Sequence, residues 1–159
     1  MSSDTKLDLE QRVAALLSVA SRAAPLIDFV RPNQLDRRPL GHWTNIYGYR
    51  AIALLFLEGE DLDVPMTRAI GISSHGTLVL LTVRRYYYNS YGPSYHEKSR
   101  ETKTLTLEEL VELLEEEPSH FASLSSSLAR LIQANATVHR GRGEQLVQDA
   151  KVAKSLSEY

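Results

Sequence analysis

Cysteine is absent from this chain of 159 residues, and its absence excludes several kinds of chemistry. Without a thiol the protein has no disulfide framework, no cysteine nucleophile and no zinc site with cysteine ligands. The N-terminal segment MSSDTKLDLEQ is polar and acidic, unlike a secretory signal with its apolar core. Both features suit a protein of a reducing compartment, and we expect a cytoplasmic location.

Long apolar runs and a large net charge are also missing. The longest apolar runs, such as AIALLFL, are too short to span a bilayer, so we expect no membrane association. The formal net charge is −2, which argues against a protein that binds nucleic acid over its whole surface. Hydrophobic residues make up 43% and charged residues 24% of the chain, as in ordinary globular proteins. We therefore expect one folded domain over residues 1–159, built on one core.

The first part of the chain has the pattern of one helix followed by strands. Apolar residues recur at helical spacing from about residue 5 to residue 24, and Pro25 ends the helix. Three short apolar runs and one polar segment follow, separated by turn residues, and the polar segment suits only an exposed edge strand. These strands are predicted at residues 49–57, 67–74, 77–88 and 94–104.

The last third of the chain has the pattern of three helices. Thr106 and Glu109 form a capping box that opens an acidic helix, and Pro118 stops it. Ser119 begins a second helix, and a third follows the glycine-containing segment 139–143. The sequence thus predicts an α+β protein with an N-terminal helix, a four-strand antiparallel meander and three C-terminal helices. The apolar stripes of these helices predict either a helical bundle or a homodimer seam.

The segment RRYYYNSYGPSYHEKSR, residues 84–100, is the most distinctive stretch of the sequence. On a strand, Arg84 and Tyr86 share one face, while Arg85 and Tyr87 share the other. In one hairpin register Tyr95 lies opposite Tyr87 and Glu97 lies opposite Arg85, which gives an aromatic pair and a charge pair. Tyrosine is a good strand former in any case, so the same pattern also suits an ordinary wet hairpin.

Tyrosine and arginine are preferred anchors of protein interfaces. Stacked aromatic rings between basic residues also suit single-stranded nucleic acid. We predict a non-catalytic interaction module that contacts a protein partner, or a second copy of itself, through this hairpin. Binding of single-stranded nucleic acid or of a nucleotide by the same hairpin is the alternative. The candidate partner-binding residues are Arg84, Arg85, Tyr86, Tyr88, Tyr91 and Tyr95.

Two His-x-Thr pairs, His42-Trp43-Thr44 and His75-Gly76-Thr77, supply a second alternative. Paired motifs of this kind resemble the signature of the 2H phosphoesterases, and the resemblance covers these six positions. It implies that one histidine acts as base and the other as acid on a phosphodiester, while the hydroxyls hold phosphate oxygens. The enzyme would then use His42, Thr44, His75 and Thr77 as its catalytic residues. His75 and Gly76 also suit a tight turn between two strands.

The remaining candidate site is an anion site, and metal and cofactor motifs are lacking. The segment RGRGE precedes the last predicted helix, where backbone N–H groups and arginines suit an anion, although such connections also occur without ligands. The five histidines show no metal-ligand spacing, and neither a dinucleotide fingerprint nor a P-loop occurs, so we expect no metal and no cofactor. The candidate anion-binding residues are Arg140, Gly141, Arg142 and Gly143.

Overall fold

The computed structural model describes residues 3–29, 43–44, 50–59, 64–88, 94–136 and 143–157. Its elements follow the predicted order, with one helix, an antiparallel sheet and three helices, so the α+β class is confirmed. The helices are α1 (Ser3–Ala23), α2 (Leu107–Glu115), α3 (Ser119–Ala136) and α4 (Gly143–Ser157). The strands are β1 (Trp43–Thr44), β2 (Arg50–Glu58), β3 (Met66–Ser73), β4 (Leu78–Tyr88) and β5 (Ser94–Thr104).

The sheet is an antiparallel meander in the order β1-β2-β3-β4-β5, so each strand pairs with its neighbours in the chain. Strands β2 to β5 are the four predicted strands. The short strand β1 is an addition, in which Trp43 pairs with Ala51 and Thr44 with Arg50. Two residues are too few to show a strand periodicity, so the sequence pattern could not reveal β1. Strand β3 lies at the centre, between β2 and β4.

Both faces of the sheet carry buried apolar side chains. On the face toward the helices, Ile52, Ile70, Ile72 and Leu78 join one core cluster with residues from all four helices. On the opposite face, Val79, Leu81 and Val83 of β4 cluster with alanines of β2 and β3. A strand that is buried on both faces has apolar residues at consecutive positions, which explains the continuous apolar run of β4.

Gly71 permits close packing at the centre of the sheet. A Cβ atom at this position would lie 2.6 Å from the Ile52 carbonyl oxygen and 2.9 Å from Leu81 Cδ1. The Leu81 side chain therefore fills the space above Gly71. A larger residue at position 71 would clash with the Ile52 carbonyl oxygen and force β2 and β3 to shift.

The helices begin and pack as their sequences predict. Thr106 Oγ1 accepts a hydrogen bond from the Glu109 N–H at 3.2 Å, and the Thr106 N–H donates to Glu109 Oε1 at 3.2 Å, which confirms the capping box. Helices α3 and α4 pack against each other and against α1. The described apolar stripe of α4 is buried in this helical layer at Ala150, Ala153 and Leu156. The C-terminal helices therefore form a bundle with α1.

A buried ion pair joins α1 to α4. The side chain of Asp149 is 2% exposed, and its Oδ1 accepts hydrogen bonds from Arg22 Nε at 3.3 Å and Arg22 Nη2 at 3.2 Å. Arg22 is 49% exposed, so the arginine lies at the edge of the helical layer while the carboxylate lies inside it. Within the described part of the chain, no helix is both long enough and apolar enough to cross a membrane.

Candidate functional site

The hairpin of β4 and β5 has the register that its sequence predicts. Tyr87 pairs with Tyr95, and Arg85 pairs with Glu97. The rings of Tyr87 and Tyr95 meet edge to face, with centroids 5.3 Å apart and planes at 69°. On the other face, Tyr86 stacks on His96 with centroids 5.7 Å apart and planes at 29°. Cross-strand aromatic pairs of this kind stabilise a hairpin on both of its faces.

A β-bulge interrupts this pairing and divides the hairpin into two parts. Arg84 pairs with Ser99 and Arg85 with Glu97, which leaves Lys98 as the extra residue of β5. The alternation of β4 is unbroken, so Arg84 and Tyr86 lie on the same face as Leu78, the face that the helices cover further along the strand. Arg85 lies on the opposite face.

The two arginines have different surroundings. Arg85 Nη1 donates to Thr67 Oγ1 at 2.7 Å and to the Val64 carbonyl oxygen at 3.4 Å, and its backbone N–H donates to the Pro65 carbonyl oxygen at 2.7 Å. These bonds tie β4 to the residues that lead into β3. Arg85 thus has a structural role, because its hydrogen bonds hold the hairpin against the start of β3.

Arg84 lies in a groove on the helix-side face, beyond the part of the sheet that the helices cover. Its Nη1 atom lies 3.7 Å from Met66 Sδ, and none of the described ion pairs joins Arg84 to a carboxylate. The groove has a volume of about 380 Å³. We call it the sheet groove, and it is lined by Met66, Arg68, Leu80, Thr82, Arg84, Glu101 and Lys103.

The other two cations of the sheet groove are paired with carboxylates. Arg68 Nη1 lies 3.5 Å from Glu58 Oε1. Lys103 Nζ donates a hydrogen bond to Glu109 Oε2 at the start of α2, and this bond, helped by the Thr106 backbone N–H, holds the pKa of Glu109 below its usual value. Of the three cations that line the groove, Arg84 is therefore the one without a described carboxylate partner.

Two consecutive tyrosines of the hairpin are exposed, one on each face. The exposed fraction is 48% for Tyr86 and 55% for Tyr87, and the two rings point to opposite faces of the sheet. Most other large apolar side chains of β2, β3 and β4 are buried or half-buried. The hairpin thus presents aromatic surface on both sides of a single strand.

The second His-x-Thr pair belongs to the turn between β3 and β4. Ser73 Oγ accepts hydrogen bonds from the backbone N–H groups of His75 and Thr77, each at 3.3 Å, and lies 2.7 Å from Thr77 Oγ1. Gly76 has φ of +83°, and a Cβ atom there would lie 3.2 Å from Ser21 Cα of α1. Gly76 thus adopts the left-handed conformation in the predicted tight turn, and the motif has a structural role there.

The first His-x-Thr pair is described only in part. His42 and the side chain of Thr44 lie outside the described residues. Trp43 pairs with Ala51, and Ala51 pairs with Ser73, so β1 lies two strands from the turn that carries His75. At a strand spacing of about 5 Å, Trp43 and Ser73 are about 10 Å apart. The backbone of Trp43 and Thr44 therefore lies at the same end of the sheet as the turn that carries His75.

Several other predicted site residues also lie outside the described part of the chain. They include most of the predicted anion site, while the backbone of Gly143 begins α4. The undescribed candidates are the side chain of Tyr88 and the residues Tyr91, Arg140, Gly141 and Arg142.

Among the described residues, no group of three or more histidines or carboxylates is arranged to hold a metal ion.

Sequence reasoning identified Arg84 but missed the rest of the sheet groove. Met66 and Arg68 come from β3, and Glu101 and Lys103 come from β5, so only the pairing of three strands brings them together. One signal was present in the sequence. Polar residues occupy alternate positions of otherwise apolar strands, as at Arg68 of β3, and they mark where the helix-side face leaves the core.

Known proteins add nothing to the interpretation of this site. Comparisons with protein-family models, with curated proteins and with solved structures found no match. The functional interpretation therefore depends on the geometry and charge of the hairpin and the sheet groove.

Proposed function

We propose that this protein is a non-catalytic interaction module that contacts a protein partner through the hairpin of β4 and β5. The main support is the exposure of Tyr86, at 48%, on the same face as Arg84, together with the exposure of Tyr87, at 55%, on the opposite face. Exposed aromatic rings beside an arginine are the side chains that contribute most to protein interfaces. The cysteine-free sequence supports a cytoplasmic location for this module.

The balance of charge in the sheet groove supports a protein partner over nucleic acid. The sheet groove and its ion pairs bring together three cations and three carboxylates. Binding to a phosphate backbone needs a clear excess of positive charge, because affinity comes from the release of counterions. A protein surface of mixed charge is a better match for this balance. The groups counted are Arg68, Arg84, Lys103, Glu58, Glu101 and Glu109.

Co-purification tests the proposal. The protein is tagged and expressed at native level, its complexes are mildly cross-linked, and the bound partners are identified by mass spectrometry. We expect a partner that the wild type retains and that the double variant Arg84→Glu, Tyr86→Ala loses. The matched control is Arg130→Glu with Leu7→Ala, which removes an exposed arginine and an exposed apolar side chain elsewhere. A partner that both double variants retain would exclude the hairpin as the interface.

One observation favours the second candidate, a phosphodiester-handling enzyme, since β1 and the His75 turn lie at the same end of the sheet. In that function His42 and His75 act as acid and base, and both must reach one phosphate. Turnover of cyclic and linear phosphodiesters by the wild type, lost in both His42→Ala and His75→Ala, would support this function. Turnover that survives either change would exclude it.

A further inference from the structure

The sheet groove has the composition of a site for one carboxylate beside apolar side chains. Arg84 is a cation whose only described contact is a 3.7 Å approach to the Met66 sulfur. A guanidinium group offers a planar fork of N–H donors that matches a carboxylate. Met66 and Leu80 line the same groove and are half-buried, so they offer apolar surface near that fork.

Two features of the groove limit the charge of its ligand. Glu101 lines the groove and is exposed, and the carboxylates of Glu58 and Glu109 already pair with the other two cations. A ligand with two or more negative charges would meet repulsion from Glu101 without gaining a second unpaired cation. A single carboxylate needs only Arg84.

The shape of the groove favours an extended peptide. It crosses three strands, and Arg84 and Leu80 lie on the same face of β4 about 13 Å apart along the strand. Side chains that share one face of an extended peptide recur about every 7 Å, so an apolar side chain four residues from a carboxylate matches the separation of Leu80 from Arg84. The stacked rings of Tyr86 and His96 adjoin Arg84 at the far end of the groove.

We infer that the sheet groove binds an extended acidic segment of the partner, in which one Glu or Asp side chain pairs with Arg84 and flanking apolar side chains contact Met66 and Leu80. This inference depends on the proposed function, because it describes how the partner is recognised. Arg84 is the residue that determines specificity for the acidic segment.

A double-mutant cycle with two fluorescent heptapeptides tests the inference. In one peptide Glu is at position 3 and Leu at positions 1 and 7, with Thr at the other positions, and the second peptide has Gln in place of Glu. We expect the wild type to bind the Glu peptide about fivefold more tightly than the Gln peptide, as for a partly exposed ion pair. In Arg84→Gln this ratio falls to about one, whereas Arg130→Gln keeps it. Backbone amide shifts measured by NMR are expected in β3, β4 and β5.

Equal affinities of the wild type for the two peptides, or no binding of either at millimolar concentration, would overturn the inference. A ratio that persists in Arg84→Gln would also overturn it. The proposed function has its own test, which does not depend on the peptides. It is excluded if the Arg84→Glu, Tyr86→Ala protein keeps its partner in cells. If that variant loses its partner but the peptide ratio is one, the hairpin is an interface that recognises other chemistry.

Discussion

The helix-side face of the sheet has two ends with opposite character. In β3, Ile70 is fully buried, whereas the side chain of Arg68, two residues earlier on the same face, is 33% exposed. In β4, Leu78 is fully buried, whereas Arg84 on the same face is exposed. We call the part around Ile70 and Leu78 the covered end, and the part around Arg68 and Arg84 the groove end.

The difference separates the part of each strand that stabilises the fold from the part that is open to water. Side chains of the covered end share a core with the four helices, and full burial of each contributes about 1.5–3 kcal/mol to folding. Side chains of the groove end remain in contact with water, and changes there have small effects on folding. One end of each strand is thus anchored in the core, and the other end leaves its side chains accessible to solvent.

Truncation at the covered end should have the largest effect on stability. Leu78→Ala removes a fully buried side chain and leaves a cavity, so we expect the free energy of unfolding to fall by about 2–5 kcal/mol. Urea unfolding followed by circular dichroism measures the change. The exposed Leu7→Ala serves as the control, with an effect within about 0.5 kcal/mol. Equal effects of the two variants would contradict the division into two ends.

The second-largest effect on stability is expected at the ion pair of Arg22 and Asp149, which joins α1 to α4. Arg22→Met leaves the Asp149 carboxylate buried without its cation, so we expect a loss of about 2 kcal/mol. Asp149→Asn should cost less, because it leaves Arg22, which is half exposed, in contact with water. The same urea experiment ranks the two variants. The reverse order would mean that the carboxylate does not depend on Arg22.

At the groove end, substitution should change binding and leave stability nearly intact. Arg84→Ala removes an exposed side chain with one weak contact, so we expect a change in unfolding free energy within about 0.5 kcal/mol. The same variant should lose the preference for a Glu-containing peptide. By contrast, Arg85→Ala breaks hydrogen bonds to Thr67 and Val64 and should be the more destabilising of the two. A larger destabilisation by Arg84→Ala would show that the groove end is part of the core.

The smallest effect on stability is expected from the ion pair of Lys103 and Glu109, which lies where the covered end and the groove end meet. The folded pKa of Glu109 is lowered, chiefly by the hydrogen bond from Lys103, so the unfolded state binds more protons as the pH falls. Its contribution to stability is present above the usual pKa of 4.5 and is lost as the pH falls through the lower folded value. In thermal unfolding between neutral and acidic pH, Glu109→Gln should reduce the acid-side fall of Tm. An identical pH profile for the variant would refute this coupling.

Local patterns predicted much of the hairpin and little of the groove. The pairing of Tyr87 with Tyr95 and the capping box at Thr106 follow from short-range spacing, and both are confirmed. The bulge at Lys98 was not predicted. Strand β5 is polar on both faces, so it has no alternation of apolar and polar residues that one extra residue would interrupt. The sheet groove combines residues of three strands, and its charge balance depends on Glu109 of a helix.

The sequence by itself determined the α+β class, the order of elements and the division of β4 into two alternating faces. These properties depend on apolar periodicity and on glycine, proline and capping residues, which act over a few positions. Only the tertiary structure decided how much of each face the helices cover, and therefore that Ile70 is core while Arg68 borders a groove. Coverage depends on the lengths and packing of helices distant in sequence, and no local pattern contains that information.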